Sequence, residues 1–217
     1  RSIAVGLKYI FEKEDFDYAI PMDGDGEDRP EEIKIFVENI NYNQGKTVVG
    51  ERVKRSENLV FKIFYSIHKL LSLVFTGKSI KFGNYTCLTR RTVEKMIIEK
   101  ATWSSFSGSL KKIENELVAT PSIRGKRYAG PSQMSFLNLV KHSLSIIGVF
   151  KINVLIRSIL FLFVYLLLTF KNMSFVTLIP CYLILLLNVF IFYVSQRENM
   201  SEYNNSLENI ENIDSIL

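Results

Sequence analysis

Cysteine is scarce. The chain has two in 217 residues, Cys87 and Cys181, and their spacing offers neither a disulfide framework nor a zinc site. They read as two reduced, buried thiols. No nucleic-acid-binding motif and no clustered basic helix is present, so the net charge of +5 does not read as a nucleic-acid interface. There is no internal repeat, no low-complexity linker and no signal peptide ahead of the first structured segment. Charge is absent from 172–196, and only Arg157 interrupts 152–170.

What is present is apolar and unevenly spread. Hydrophobic residues make up 47% of the chain, enough for one buried core and something more. The excess lies between Phe136 and Val194, which places the chain in the membrane class. A span needs about 20 apolar residues, and both of these runs qualify. The turn between them falls at 171–174, so the spacing predicts a tight transmembrane hairpin over 152–195. Ahead of it, Phe136, Val140, Leu144 and Ile147 share one helical face, which predicts an interfacial amphipathic helix over 135–151. Lys141, Lys151 and Arg157 precede the hairpin and Arg197 follows it, against Lys171 alone in the turn. The positive-inside rule then puts both ends, and the domain upstream, in the cytoplasm, most simply at a bacterial inner membrane. Near the start of its span, Arg157 can snorkel outward. The tail, 196–217, sets one cation, Arg197, against five carboxylates. It reads as disordered or weakly helical. The rest is correspondingly basic, which suits anionic headgroups and phosphate-bearing ligands.

Residues 1–134 alternate short apolar strands with helices. Helical spacing covers 1–13. An apolar run follows at 17–23, then a helix opened by Pro30 with Glu31 and Glu32 at its positive end. Strands are predicted at 47–50, 80–88 and 117–120, with helices at 58–76 and 91–100. The 58–76 helix is apolar nearly all round and should be largely buried. The pattern predicts an α/β domain with a mostly parallel sheet.

Two loops carry the candidate chemistry. Asp23-Gly24-Asp25-Gly26 stands where the first strand ends, and open α/β sheets bind ligands at such ends. Two carboxylates there suit a hard divalent cation, which can hold a nucleotide diphosphate. The glycines permit close approach. The second loop, 124–130, is basic and precedes the amphipathic helix. Taken alone, a basic loop ahead of a membrane helix touches anionic headgroups.

The order of these motifs resembles family 2 glycosyltransferases, in the branch of dolichol-phosphate mannosyltransferases and polyprenyl-phosphate glycosyltransferases. Tyr18-Ala-Ile-Pro-Met-Asp-Gly-Asp25 followed by Pro30-Glu-Glu-Ile33 resembles the aspartate motif, with Glu27 where the branch has glutamine. Val48-Val-Gly-Glu-Arg52, and Lys62 and Ser66 on the next helix, match an acceptor-phosphate set. Phe82-Gly-Asn-Tyr-Thr-Cys-Leu-Thr-Arg-Arg91 resembles a segment whose aspartate is Asn84 here. Arg124-Gly-Lys-Arg127-Tyr-Ala-Gly130-Pro-Ser132 matches an Arg-x-x-Arg-x-x-Gly-x-Ser loop, followed by Gln133 where the branch has lysine. The resemblance implies a GT-A-like domain, incomplete at its N-terminus because the base-gripping strand motif does not precede Arg1. It implies Mg²⁺ or Mn²⁺ on Asp23 and Asp25, donor diphosphate on Arg124, Arg127 and Ser132, and acceptor phosphate on Arg52, Lys62 and Ser66. Asn84 and Arg127 stand at catalytic positions. The implied reaction is inverting transfer from a UDP- or GDP-sugar to a polyprenyl phosphate. A glycan hydroxyl acceptor and a non-catalytic membrane fragment are the alternatives, and packing with copies of itself is expected of such a hairpin. Asparagine cannot serve as a general base. A phosphate acceptor, with a second pKa of about 6, does not require one.

Overall fold

The computed structural model describes residues 1–52, 59–128, 130 and 136–210. In chain order the elements are α1 (Ser2–Lys13), β1 (Tyr18–Ala19), α2 (Ile33–Tyr42, entered by a 3-10 turn at Pro30–Glu32), β2 (Val48–Arg52), α3 (Leu59–Thr76), β3 (Phe82–Thr89), α4 (Arg90–Ile98), α5 (Phe106–Ile113), β4 (Val118–Ser122), α6 (Phe136–Gly148), α7 (Lys151–Thr169), α8 (Phe175–Ser195) and α9 (Met200–Asn204). They group into two compact units. Residues 1–55, 81–132 and 198–217 form the first, and 56–80 and 133–197 the second.

The first unit is a mixed α/β layer structure. Its sheet has the order β1-β3-β2-β4. Side chains alternate across a strand, and the neighbours Val48/Val49 and Cys87/Leu88 split between two cores. Val48, Tyr85 and Cys87 meet Phe36 and Ile40 of α2. Val49 and Leu88 meet Leu7 of α1, Val93 and Met96 of α4, and Leu110 of α5. Burial drives the Cys87 thiol up to about 11. Cys181 is half-buried, so only one of the two thiols lies in a core.

Strand alternation predicted a mostly parallel sheet. Instead β3 runs against its neighbours, pairing antiparallel with both β1 and β2, and only β2 and β4 pair in parallel. The connection from β2 to β3 explains this. Phe82, the first residue of β3, lies opposite Glu51 at the end of β2. The chain therefore leaves and re-enters the sheet at the same end, and the new strand must run backwards. A register shift falls at Gly50. There a Cβ would lie 3.1 Å from the Tyr85 carbonyl and 3.2 Å from the Phe36 ring.

The tail carries α9 and a 3-10 turn at Ser206–Asn209. Asn199 caps α9 by accepting the Glu202 amide at 3.2 Å. Tyr203, 1% exposed, stacks on Trp103 with centroids 5.3 Å apart. The Trp103 indole donates to Glu202 at 3.2 Å, and Lys8 donates to the Asn204 carbonyl. The sequence left the tail disordered or weakly helical, and its described part takes the helical form. Met200 and Tyr203 supply its apolar anchors.

The second unit gathers α3, α6, α7 and α8. Two of its helices are long and apolar enough to cross a membrane. Ser174 begins α8 with a capping box shared with Thr177. Between α7 and α8, Asn188 donates to Ser158 at 2.9 Å and the Tyr165 hydroxyl to the Thr177 carbonyl at 2.9 Å. Arg157 does more than snorkel. Its guanidinium donates to the Val74 carbonyl at 3.0 Å, a cation at the negative end of α3. Gly77, at φ +72°, leaves room for it. The sequence predicted α3 to be largely buried, yet Leu70, Leu71, Leu73 and Val74 are exposed. An all-round apolar helix has two possible surroundings, a protein core or lipid.

Candidate functional site

β1, β2 and β4 share one direction, so the carboxyl ends of all three open on the same end of the first unit's sheet. That geometry gathers residues far apart in sequence. After Ala19 the chain crosses the sheet end toward α2, past three interstrand steps of about 4.8 Å each. Tyr85 of β3 donates its hydroxyl to the Arg29 carbonyl on the way. Burial, then the Glu32, Asp28 and Glu31 carboxylates, push this phenol up to about 12. Glu32, itself buried, pins the far edge. It accepts from Ser122 Oγ at 2.7 Å and from the Ile123 amide at 2.8 Å.

The acidic and basic loops therefore meet. Gly125 N–H donates to the Glu27 carbonyl at 2.8 Å, and Tyr128 N–H to the Asp25 carbonyl at 2.9 Å. Arg127 Nε donates to Glu27 Oε1 at 2.8 Å, and Arg127 Nη2 lies 3.2 Å from Asp25 Oδ2. Arg124 Nη2 pairs with Glu27 Oε2. Backbone contact this close requires glycine. Gly26 has φ +88°, and a Cβ on it would lie 2.8 Å from the Tyr128 ring. Burial lowers the Arg124 pKa most, and the Arg127 charge adds to the shift. Asp25 and Asp23 oppose it. Arg124 Nε is buried and has no hydrogen-bond partner among the described residues. An anion with more oxygens than a carboxylate would satisfy it.

The predicted residues divide three ways. Asp25, Arg124 and Arg127 come together. Asp23 stands exposed at the same sheet end, its amide donating to Asp28 Oδ2 at 3.0 Å. Asn84 is half-buried near the start of β3, adjacent to Tyr85 and by alternation on the other face of the strand. Among the described residues no hydrogen bond or ion pair joins it to the arginines. Arg52 ends β2 in the first unit, while Lys62 and Ser66 lie on α3 in the second. Ser66 is exposed, and the Arg52 and Lys62 side chains lie outside the described residues. So does Ser132.

As arranged, the two aspartates do not fit a divalent cation. Asp25 Oδ1 accepts the Glu27 amide at 3.0 Å, and the Arg127 guanidinium stands against Oδ2. Among the described residues no three metal-ligating side chains gather in one place. The arginines, with a buried donor to spare, do fit an anion.

The sequence left Glu27 without a role and passed over Glu32. Their positions become informative only once the two loops are known to meet. The one earlier signal is that Asp25-x-Glu27 and Arg124-x-x-Arg127 present matching charges on short spacings. A cavity of about 440 Å³ opens at the other end of the sheet. Two of its cations are already neutralised, Lys46 by Glu116 and Lys95 by Glu114. Compared with family models, curated proteins and solved structures, the chain matches none of them.

Proposed function

We propose that this chain is the membrane-seated part of a glycosyltransferase that passes a sugar from a nucleoside-diphosphate donor to a polyprenyl phosphate. The observation that carries the reading is the arginine loop at the carboxyl end of the sheet, with Arg124 Nε buried and without a hydrogen-bond partner among the described residues. Such a pair of guanidiniums binds a diphosphate and takes up the charge that develops as it departs.

Chain path supports the lipid side of the reading. The first unit includes residues both before 132 and after 198. A chain that leaves a compact unit and rejoins it crosses a membrane an even number of times, which suits two spans. The exposed leucines of α3, with Leu137 and Val140 of α6, supply further apolar surface for a bilayer interface. The cations around the hairpin favour a cytoplasmic position for the first unit.

In the reaction, an anionic oxygen of the lipid phosphate attacks the anomeric carbon. The bond from that carbon to the donor's diphosphate oxygen breaks, and its electron pair leaves on the diphosphate. No proton has to be removed from the nucleophile, so Asn84 is an acceptable occupant of its position. Arg124 and Arg127, with Ser132 beside them by resemblance, hold the leaving group. Resemblance alone carries the acceptor-phosphate roles of Arg52, Lys62 and Ser66. Mg²⁺ or Mn²⁺ at Asp23 and Asp25 belongs to this proposal only after Arg127 has left Asp25.

The test is a transfer assay. The full chain is reconstituted into liposomes with polyprenyl phosphate and a panel of radiolabelled UDP- and GDP-sugars. Label entering the lipid phase with at least one donor is expected. A folded protein that transfers none of them contradicts the reading, and a shift of label to soluble glycan would move the acceptor to a hydroxyl.

A further inference from the structure

We propose that the Glu27 carboxylate is an internal stand-in for the donor's diphosphate, holding the arginine loop shut until an incoming diphosphate displaces it. This rests on the reading of Arg124 and Arg127 as a diphosphate clamp. Both Glu27 oxygens are committed, one to each arginine. Its side chain is the most sheltered of the four, 12% exposed against 25–34% for its three partners. The Glu27 carbonyl and the Asp25 carbonyl also accept the two amides that join the loops. The closed state is thus built around one residue.

The fit is incomplete in an instructive way. One carboxylate engages both guanidiniums but leaves Arg124 Nε buried without a partner among the described residues. A diphosphate brings more oxygens and more charge to the same donors. Exchange of Glu27 for a diphosphate therefore replaces two charge-assisted hydrogen bonds with a fuller set. It also returns a largely sheltered carboxylate to water, which favours the open state once the ligand is in place. The closed loop keeps two partly buried arginines neutralised when no donor is bound.

Glutamine at 27 keeps the shape and one acceptor oxygen but removes the charge that competes with the ligand. Titration calorimetry with pyrophosphate on the full chain in detergent should show Glu27→Gln binding about tenfold tighter than wild type, the strength of a single charge-assisted hydrogen bond that the ligand no longer has to displace. Glu27→Ala should shift the same way, and Arg127→Ala should bind more weakly than wild type. Without ligand, amide exchange in 123–130 should be faster in Glu27→Gln. If wild type binds, Arg127→Ala abolishes binding, and Glu27→Gln and Glu27→Ala bind no tighter, the stand-in role is wrong while the clamp survives. If none of the four proteins binds pyrophosphate, the clamp and the stand-in fall together. Unchanged exchange in 123–130 would also overturn the closing role.

Discussion

The two units use the same apolar residues against two different surroundings. In the first, Leu88, Val93 and Met96 are fully buried between sheet and helices. In the second, Leu168 and Phe175 are 81% and 85% exposed, and the few buried side chains include the polar pair Ser158 and Asn188. The first unit hides its carbon and gathers charge at one end of a sheet. The second displays most of its carbon, and its small core of Ile147, Val154 and Ile191 sits beside that polar pair. A chain with both patterns joins a charged site to two helices long and apolar enough to cross a membrane.

That contrast can be broken from either side. Leu88→Ala should destabilise the first unit by about 2–5 kcal/mol, whereas Leu168→Ala should leave its denaturant midpoint in micelles unchanged. Equal effects would mean that Leu168 is packed against protein rather than displayed at the surface. Leu185→Lys, midway along α8, should cost about 3 kcal/mol of insertion and release protein on alkaline extraction of membranes. Glu32→Ala leaves the Ser122 hydroxyl and the Ile123 amide without their acceptor and should cost about 1–3 kcal/mol, read from the shift in urea midpoint. The exposed Glu116, held below the ordinary carboxylate range by Lys46, should be dispensable for stability. Ser158→Ala should weaken hairpin packing by about 0.6 kcal/mol, read as a fall in resistance to unfolding in detergent.

A subtler difference lies in pH. Folding raises the Tyr85 and Tyr203 phenols from 10.0 to about 12. The folded chain then holds protons that the unfolded chain has released, so stability should be full below pH 10 and fall as pH rises toward 12. Tyr85→Phe should flatten part of that slope and leave the share of Tyr203. A slope untouched by the substitution would mean the Tyr85 hydroxyl is not held by the Arg29 loop.

Much of the fold can be read along the chain because its signals are local. Pro30 with two glutamates opens a helix turn, short apolar runs mark β2 and β4, and 172–196 carries no charge. α5 escaped notice because Ser107, Gly108 and Ser109 hide its apolar face, although Ser105 caps it by accepting the Gly108 amide at 3.2 Å. The direction of β3 was not legible, since it depends on where a long connection returns. The surroundings of α3 were not legible either, since an apolar surface reads alike for core and lipid. Within the site, Asp25 was singled out from an acidic turn after a strand, and Arg124 and Arg127 from a resemblance carried by their spacing; the structure brings the three together. Glu27 acquires a role only from the crossing of the loop over the sheet end, a tertiary fact with no local signature.

The most direct test compares lipid-phase label from wild type with that from the Arg124→Ala/Arg127→Ala double variant, in the same liposomes with the donor that works. Loss of transition-state charge stabilisation predicts a fall in transfer of at least about 100-fold, with the variant still inserted and folded. Transfer at the wild-type rate would contradict the claim that these two arginines hold the departing diphosphate.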